Sequence, residues 1–306
     1  MEGKMNDKKQ KINNTISGVL VVDKPVGMTS HQVVQVIRRG THIKRSGHTG
    51  TLDPRASGVL VVLIGPAVRL SQYVSAEDKR YQATIKLGEK TDTYDSEGTI
   101  TGSSDLEITY EQFEEALKGF VGEIEQVPPP YSAVKVKGKH AYELARKGKK
   151  VELEPRLINV YSLDLLEWNP PEVVVDVHCS SGTYVRSLAY DLGELLECGA
   201  YLTGLRRSKS GQFTLRDAVP LRKLTDAFET NAWYQYLIPA AEALSDWPSI
   251  ILTNEEIELV KHGHRIERNE GKEGLVRAIT EQVELVALME YDAEKKEFFP
   301  RKVFFT

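Results

Sequence analysis

Asp53 is the residue of this chain best placed to do chemistry. It lies within Ser46-Gly47-His48-Thr49-Gly50-Thr51-Leu52-Asp53-Pro54-Arg55-Ala56-Ser57-Gly58-Val59-Leu60, between a glycine-bearing loop and an apolar run. Gly47, Gly50 and Gly58 allow positive φ or a close backbone approach to a ligand. Pro54 biases Asp53 towards extended backbone, which holds its side chain at a bend rather than on a regular helix. No nearby Ser, Cys or Lys reads as a nucleophile, and His48 is the one obvious titrating neighbour. A carboxylate is a competent covalent catalyst while it is ionised and held at near-attack distance. On these residues alone, the segment reads equally as a polar turn between two strands.

Other blocks along the chain decide between the two readings. They are Lys24-Pro25-Val26-Gly27-Met28-Thr29-Ser30, Asp78-Lys79-Arg80-Tyr81, Thr91-Asp92-Thr93-Tyr94-Asp95-Ser96-Glu97-Gly98, Pro128-Pro129-Pro130-Tyr131-Ser132-Ala133-Val134-Lys135 and Cys179-Ser180-Ser181-Gly182-Thr183-Tyr184-Val185-Arg186. Together with the Asp53 segment, and in this order, they resemble the bacterial tRNA pseudouridine 55 synthases, the TruB family, from about residue 18 to residue 220.

The resemblance implies an isomerase, an intramolecular transferase that turns uridine 55 in the T-loop of tRNA into pseudouridine. The N1–C1′ bond breaks, the base turns, and C5 rejoins the ribose; no cofactor or metal is required. Asp53 then corresponds to the nucleophile, attacking ribose or base. Arg186 corresponds to the arginine that pairs with it. A guanidinium within about 4–6 Å would lower the aspartate's pKa and fork onto both oxygens. Tyr81 corresponds to the tyrosine stacked on the target base near C5. Tyr184 and Leu205 match further pocket positions, contacting the base through a ring and a backbone group. His48 resembles the histidine that stacks in the loop vacated by flipped nucleotides. Lys24, in the first block, and Arg69, standing where lysine is expected, complete the substrate-binding set. Ser57 in place of threonine, Arg55, and the Gly65-Pro66-Ala67-Val68 turn depart from the family pattern without touching Asp53, Tyr81 or Arg186. The implied partner is the T-arm of tRNA, met by a cytoplasmic monomer without an obligate protein partner. Two other functions stay in view: a tRNA-binding folding chaperone, and a guide-dependent synthase acting on ribosomal RNA.

These side chains need a scaffold. Gly18 to Asp23 reads as a short apolar strand, and Thr29 or Ser30 as the cap of a helix over about 30–39. Gly58 to Ile64 reads as a buried strand and Tyr81 to Leu87 as a half-buried one. Residues 109–120 carry helical spacing. Residues 126–150, with prolines, glycines and lysines, read as an exposed excursion with a short helix around His140 to Lys147; the excursion resembles the family's flexible insertion that closes over the RNA. Val173 to Val177 reads as a strand and Tyr184 to Leu196 as a helix. Strands and helices mixed without regular βαβ alternation predict an α+β fold: a mixed, mainly antiparallel sheet for a catalytic core over 15–231, after a flexible tail over 1–14. From about Ala232 the character changes. A helix begins at Asn254-Glu255-Glu256, and short strands at Leu285 to Met289 and Lys302 to Phe305 resemble a small β-rich PUA-like domain over 232–306.

Composition narrows the class. The 306 residues are 41% hydrophobic and 27% charged, as in ordinary globular proteins. No apolar run approaches the ~18 residues of a membrane span. Cys179 and Cys198 form no disulfide framework and suit a reduced compartment, and His262 and His264 lack companions at zinc spacing. A net charge of −4 argues mildly against non-specific nucleic-acid binding. The distribution argues the other way. Arg38, Arg39, Lys44 and Arg45 precede the Asp53 loop; Lys135, Lys137, Lys139, Arg146, Lys147, Lys149 and Lys150 crowd one stretch; Arg206, Arg207, Lys209 and Arg216 form a third cluster.

Overall fold

The computed structural model describes residues 16–136, 138–145, 147 and 152–304. The predicted tail over 1–14 lies outside the described residues, as do Lys137, Arg146, Lys149 and Lys150 of the second basic cluster. The chain forms two compact units. One holds the residues up to Pro54, Gly58–Ser75 and Gln212 onwards; the other holds Arg55–Ser57 and Ala76–Gly211.

In the first unit the apolar run at the start becomes the strand Gly18–Lys24, paired antiparallel with Ser57–Ile64 from Gly18 opposite Ile64 to Lys24 opposite Gly58. The second of these strands is buried along nearly its whole length. Leu60, Leu63 and Ile64 are fully buried, each stabilising the unit by about 1.5–3 kcal/mol of transferred apolar surface. Val219–Pro220 flanks the first strand in parallel, and Ile238–Pro239 flanks it antiparallel. The helix Ser30–Thr41 is capped by Thr29, which completes a capping box with Gln32. That leaves the hydroxyl of Ser30 for another purpose.

The later part of this unit is β-rich. Ser249–Ile251, Leu275–Ile279, Leu285–Asp292, Glu297–Val303 and Ile266–Glu267 form a sheet in that order, with the helix Asn254–Lys261 packed on it. The last predicted strand is displaced: it runs Glu297–Val303 rather than from Lys302, because Phe298 supplies the buried anchor. Ile279, Leu285, Leu288 and Phe304 join Val19, Val21, Val61 and Leu63 in one hydrophobic cluster, so the two ends of the chain share a core.

The second unit is built on an antiparallel sheet with strands in the order Ala200–Ser210, Lys79–Leu87, Glu172–Cys179, Arg156–Asn169, Gly122–Gln126. Alternation along Lys79–Leu87 is clean, with every odd position buried. The helix Val185–Leu195 packs on the Ala200–Ser210 strand. A Cβ at Gly193 would sit 2.1 Å from the backbone nitrogen of Ala200, so glycine is what lets this helix seat. The helix Tyr110–Lys118 sets Phe113 against Trp168. This is the expected α+β architecture: antiparallel strands predominate, and a small β-rich domain follows.

The long strands Arg156–Asn169 and Ala200–Ser210 had no counterpart in the sequence reading. Their polar, bulged stretches blur the alternation that signals a strand.

Candidate active site

Asp53 sits in the first unit, between two immobilised neighbours. On one side Ser30 Oγ donates to the carbonyl of Leu52 at 3.0 Å and accepts from its amide at 2.8 Å. On the other, the carbonyl of Pro54 accepts from the amide of Gly27 at 2.8 Å and from the ammonium of Lys24 at 3.4 Å. Lys24 is fully buried and also donates to the carbonyls of Pro25 at 2.9 Å and Met28 at 2.5 Å. A buried ammonium is tolerable only when its protons are taken up, and here backbone oxygens do that. Asp53 itself is half-buried, in irregular backbone as Pro54 dictates. His48 is half-buried on the short strand Ser46–His48, opposite Val62. Arg69 lies in the 3₁₀ turn Gly65–Leu70, and its guanidinium donates to the carbonyl of Val303. The Lys24 ammonium and the Arg69 guanidinium thus both tie backbone in place.

Tyr81, Arg186, Tyr184 and Leu205 belong to the second unit. Tyr81 is opposite Val177 and Arg207, while Leu205 is opposite Ala83. Directly opposed residues share a face, and so do residues two apart along a strand. Tyr81, Ala83, Leu205 and Arg207 therefore line one face of this sheet. Tyr81 is buried there and Leu205 partly so.

Arg186 stands in the first turn of the Val185–Leu195 helix and is 8% exposed. Nη1 donates to Asp95 Oδ2 at 3.1 Å and to the Thr93 carbonyl at 3.3 Å, and Nη2 donates to the Tyr131 carbonyl at 3.1 Å. Three of the sequence blocks converge on this one guanidinium. Asp95 is held in turn: its other oxygen accepts from Thr93 Oγ1 at 2.6 Å and from the amide of Glu97 at 3.0 Å. Gly98 closes the loop where a Cβ would meet Thr93 Oγ1 at 2.4 Å and Asp92 Oδ1 at 2.5 Å.

Tyr184 is the N-cap residue of the helix but caps it with no side-chain hydrogen bond. Gln126 is the reason it stays put. The buried amide of Gln126 accepts from Tyr184 N at 2.8 Å and donates to Tyr184 O at 3.0 Å. Ser187 Oγ adds a bond of 2.8 Å to the carbonyl of Val127.

The expectation of an exposed excursion over 126–150 is therefore corrected for its first part. Gln126, Pro128, Pro129 and Ser132 are buried, because this stretch satisfies the helix start that carries Arg186. Lys135, Lys139 and Lys147 are exposed, and Ala141–Ala145 forms the short helix.

The basic clusters likewise divide. Arg39, Lys44 and Arg45 are exposed, whereas Arg38 donates to the Ser46 carbonyl at 2.6 Å, Arg206 to Ser57 Oγ at 3.3 Å, and Arg207 is buried.

Asp95, Gln126 and Ser30 were missed by sequence reasoning as functional positions. Asp95 and Ser30 lie inside the motif blocks, and an acid in a tight Thr-Asp-Thr-Tyr-Asp loop was the one signal available. Gln126 carried none.

Two family models match the chain: the N-terminal domain of TruB family pseudouridylate synthases over residues 38–185, and the C-terminal domain of tRNA pseudouridylate synthase B over 186–245. Among curated proteins, the chain is 43% identical over 265 residues to tRNA pseudouridine synthase B of Aquifex aeolicus, covering 86% of this chain and 91% of that one. It is 41% identical over 304 residues to the protein of the same name from Francisella philomiragia, covering 97% and 99%. Among solved structures it resembles a chain of a Cbf5–Nop10–Gar1 complex, with a TM-score of 0.74 and 28% identity over 97% of this chain and 87% of that one. A chain of an H/ACA ribonucleoprotein bound to a substrate RNA containing 2′-deoxyuridine matches with a TM-score of 0.74 and 26% identity, over 98% and 87%. With sequence identity above 40% along nearly its entire length, the chain belongs to the TruB family of pseudouridylate synthases.

Proposed function

We propose that the protein isomerises uridine 55 in the T-loop of tRNA to pseudouridine, with Asp53 as nucleophile. The observation that carries this reading is the treatment of two side chains. Asp53 stays half-buried while the backbone on both sides of it is tied down, and Arg186 is buried with acceptors supplied by two other motif segments. A nucleophile has to reach a reacting atom, and a charge that tunes it acts more strongly where water is excluded.

The base must leave the T-loop stack to reach Asp53, at a cost of a few kcal/mol offset in the pocket. The carboxylate attacks as the N1–C1′ bond breaks, the uracil turns, and C5 bonds to C1′ as the carboxylate is released. The C5 proton is lost and N1 is left protonated, so the atoms balance without a cofactor. Tyr81 gives the base an aromatic face and a polar tip near C5, Tyr184 and Leu205 line the pocket, and His48 fills the space the flipped nucleotides leave. Lys135, Lys139 and Lys147 meet phosphates, which sets register without reading sequence.

In this reading residues 15–231 are the catalytic domain and 232–306 the PUA-like one, and the protein works as a cytoplasmic monomer without a protein partner. Among the described residues no helix is long and apolar enough to cross a membrane.

Mapping pseudouridine in unmodified tRNA transcript, with no cofactor or guide added, tests the proposal. Conversion at the T-loop uridine by the native protein and none by Asp53→Asn is expected. Binding without conversion by either would favour the chaperone reading. Conversion only when a guide RNA is supplied would favour the ribonucleoprotein reading, which the likeness to a chain of an H/ACA ribonucleoprotein brings into view.

A further inference from the structure

The Val185–Leu195 helix and the segment that runs from Lys90 to Asp95 meet along a ladder of side chains. Arg186, Tyr190 and Glu194 are spaced four apart and so share one helix face. Each finds a partner on the facing segment: Arg186 pairs with Asp95 at 3.1 Å, Tyr190 stacks on Tyr94, and Glu194 pairs with Lys90 at 2.9 Å. The middle rung is the unusual one. The rings lie 3.8 Å apart between centroids and 17° from parallel, a closely stacked pair. Tyr94 reaches this position only by taking a left-handed backbone with φ of 64°, a conformation disfavoured for a bulky residue. Its carbonyl accepts from the amide of Leu202 at 3.1 Å, and the next amide but one, Ser96 N, donates to the Leu202 carbonyl at 3.0 Å. The strained residue is therefore pinned on both its side-chain and backbone sides, immediately before the carboxylate that orients Arg186. Burial, with Tyr190 and Asp191 close by, pushes the Tyr94 hydroxyl up to about 12, so the stack faces no phenolate at neutral pH.

We propose that Tyr94, stacked on Tyr190, is a positioning residue for the isomerisation: it fixes the Asp95 carboxylate, and through it the direction of the Arg186 guanidinium. The outer ion pair, Lys90 with Glu194, is solvent-exposed and carries little of this, since exposed pairs are worth little. The inference rests on the reading of Arg186 as the group that acts on the Asp53 carboxylate.

Single-turnover conversion of unmodified tRNA transcript, with enzyme in excess, is the test, alongside tRNA affinity and thermal midpoint. Tyr94→Ala is expected to slow the single-turnover rate on the order of tenfold, the upper range of what an aromatic pair contributes. Its tRNA affinity should stay close to native, and its melting point should fall by only about 2–5 °C. Tyr94→Phe, which keeps the ring, should restore the native rate, and Tyr190→Leu should reproduce the loss from the helix side and serves as the second route should Tyr94→Ala fold poorly. Tyr94→Ala added to Asp95→Asn should cost nothing further, because the first acts through the second.

A native rate in both Tyr94→Ala and Tyr190→Leu would overturn the proposal, as would a full multiplicative loss in the double variant. A weakened affinity with an unchanged rate at saturation would assign Tyr94 to RNA contact instead. Should Asp95→Asn and Arg186→Lys themselves convert tRNA at the native rate, the underlying reading of Arg186 fails rather than the stack.

Discussion

The loop that carries Asp53 and the helix start that carries Arg186 are immobilised by opposite means. On either side of Asp53 the backbone is bonded to Ser30 and Lys24, from 22 and 30 positions away, and the residue is half-buried. Around Arg186 the side chain itself is the fixed object, bonded to Tyr131, Asp95 and Thr93 from 55, 91 and 93 positions away. A carboxylate that must meet a reacting atom gains from having the backbone on both sides of it held in place. A group whose charge must be felt is best desolvated and saturated with acceptors.

The contrast predicts different penalties. Arg186→Lys should lose about 10²–10³-fold in conversion rate, since a lysine cannot supply the planar fork that reaches Asp95 and Tyr131 together. Its denaturation midpoint should stay close to native; a collapse in stability of the same variant would make Arg186 a structural ion-pair partner first.

Lys24→Met is the matching cut in the other region. It removes the donor shared by the carbonyls of Pro25, Met28 and Pro54, at about 2 kcal/mol in chemical denaturation, with a loss of activity that follows the loosened loop. Native stability with weakened tRNA binding would instead return Lys24 to the substrate surface.

The smallest effect concerns Asp191, beside Tyr190, whose carboxyl is pushed up to about 6 by burial and then by Glu194. Because folding raises this pKa, ionising the group costs stability: the penalty is absent below about 3.8 and complete above about 6. Asp191→Asn should therefore leave stability unchanged near pH 3.5 and raise it by up to about 1 kcal/mol near pH 7, allowing for solvent screening. A gain that is the same at both pH values would show that the carboxylate is not the cause.

How far the residues foretold the molecule depends on the range of the interactions. The helix after Ser30 was legible because its cap and apolar stripe lie within a few residues of each other, and Pro54 told of the bend at Asp53 for the same reason. The Tyr81 strand declared itself by alternation. Arg156–Asn169 did not, because its bulges break the period. The proline-rich stretch after Gln126 looked exposed from composition, yet Pro128 and Pro129 are buried. Composition reports solvent preference on average and says nothing of a helix start in need of partners.

From the chain alone came the carboxylate, its bend, the order of the motif blocks and the mixed α+β class, all set by local sterics and by residue type. Only the tertiary structure decided what those blocks touch. The loop from Thr91 to Gly98, the turn at Tyr131 and the helix start at Tyr184 meet around Arg186, and the Lys24 ammonium is turned inward. Such placements depend on hydrogen bonds between groups many tens of residues apart. Those bonds form because each buried donor must find an acceptor in the space the fold happens to leave.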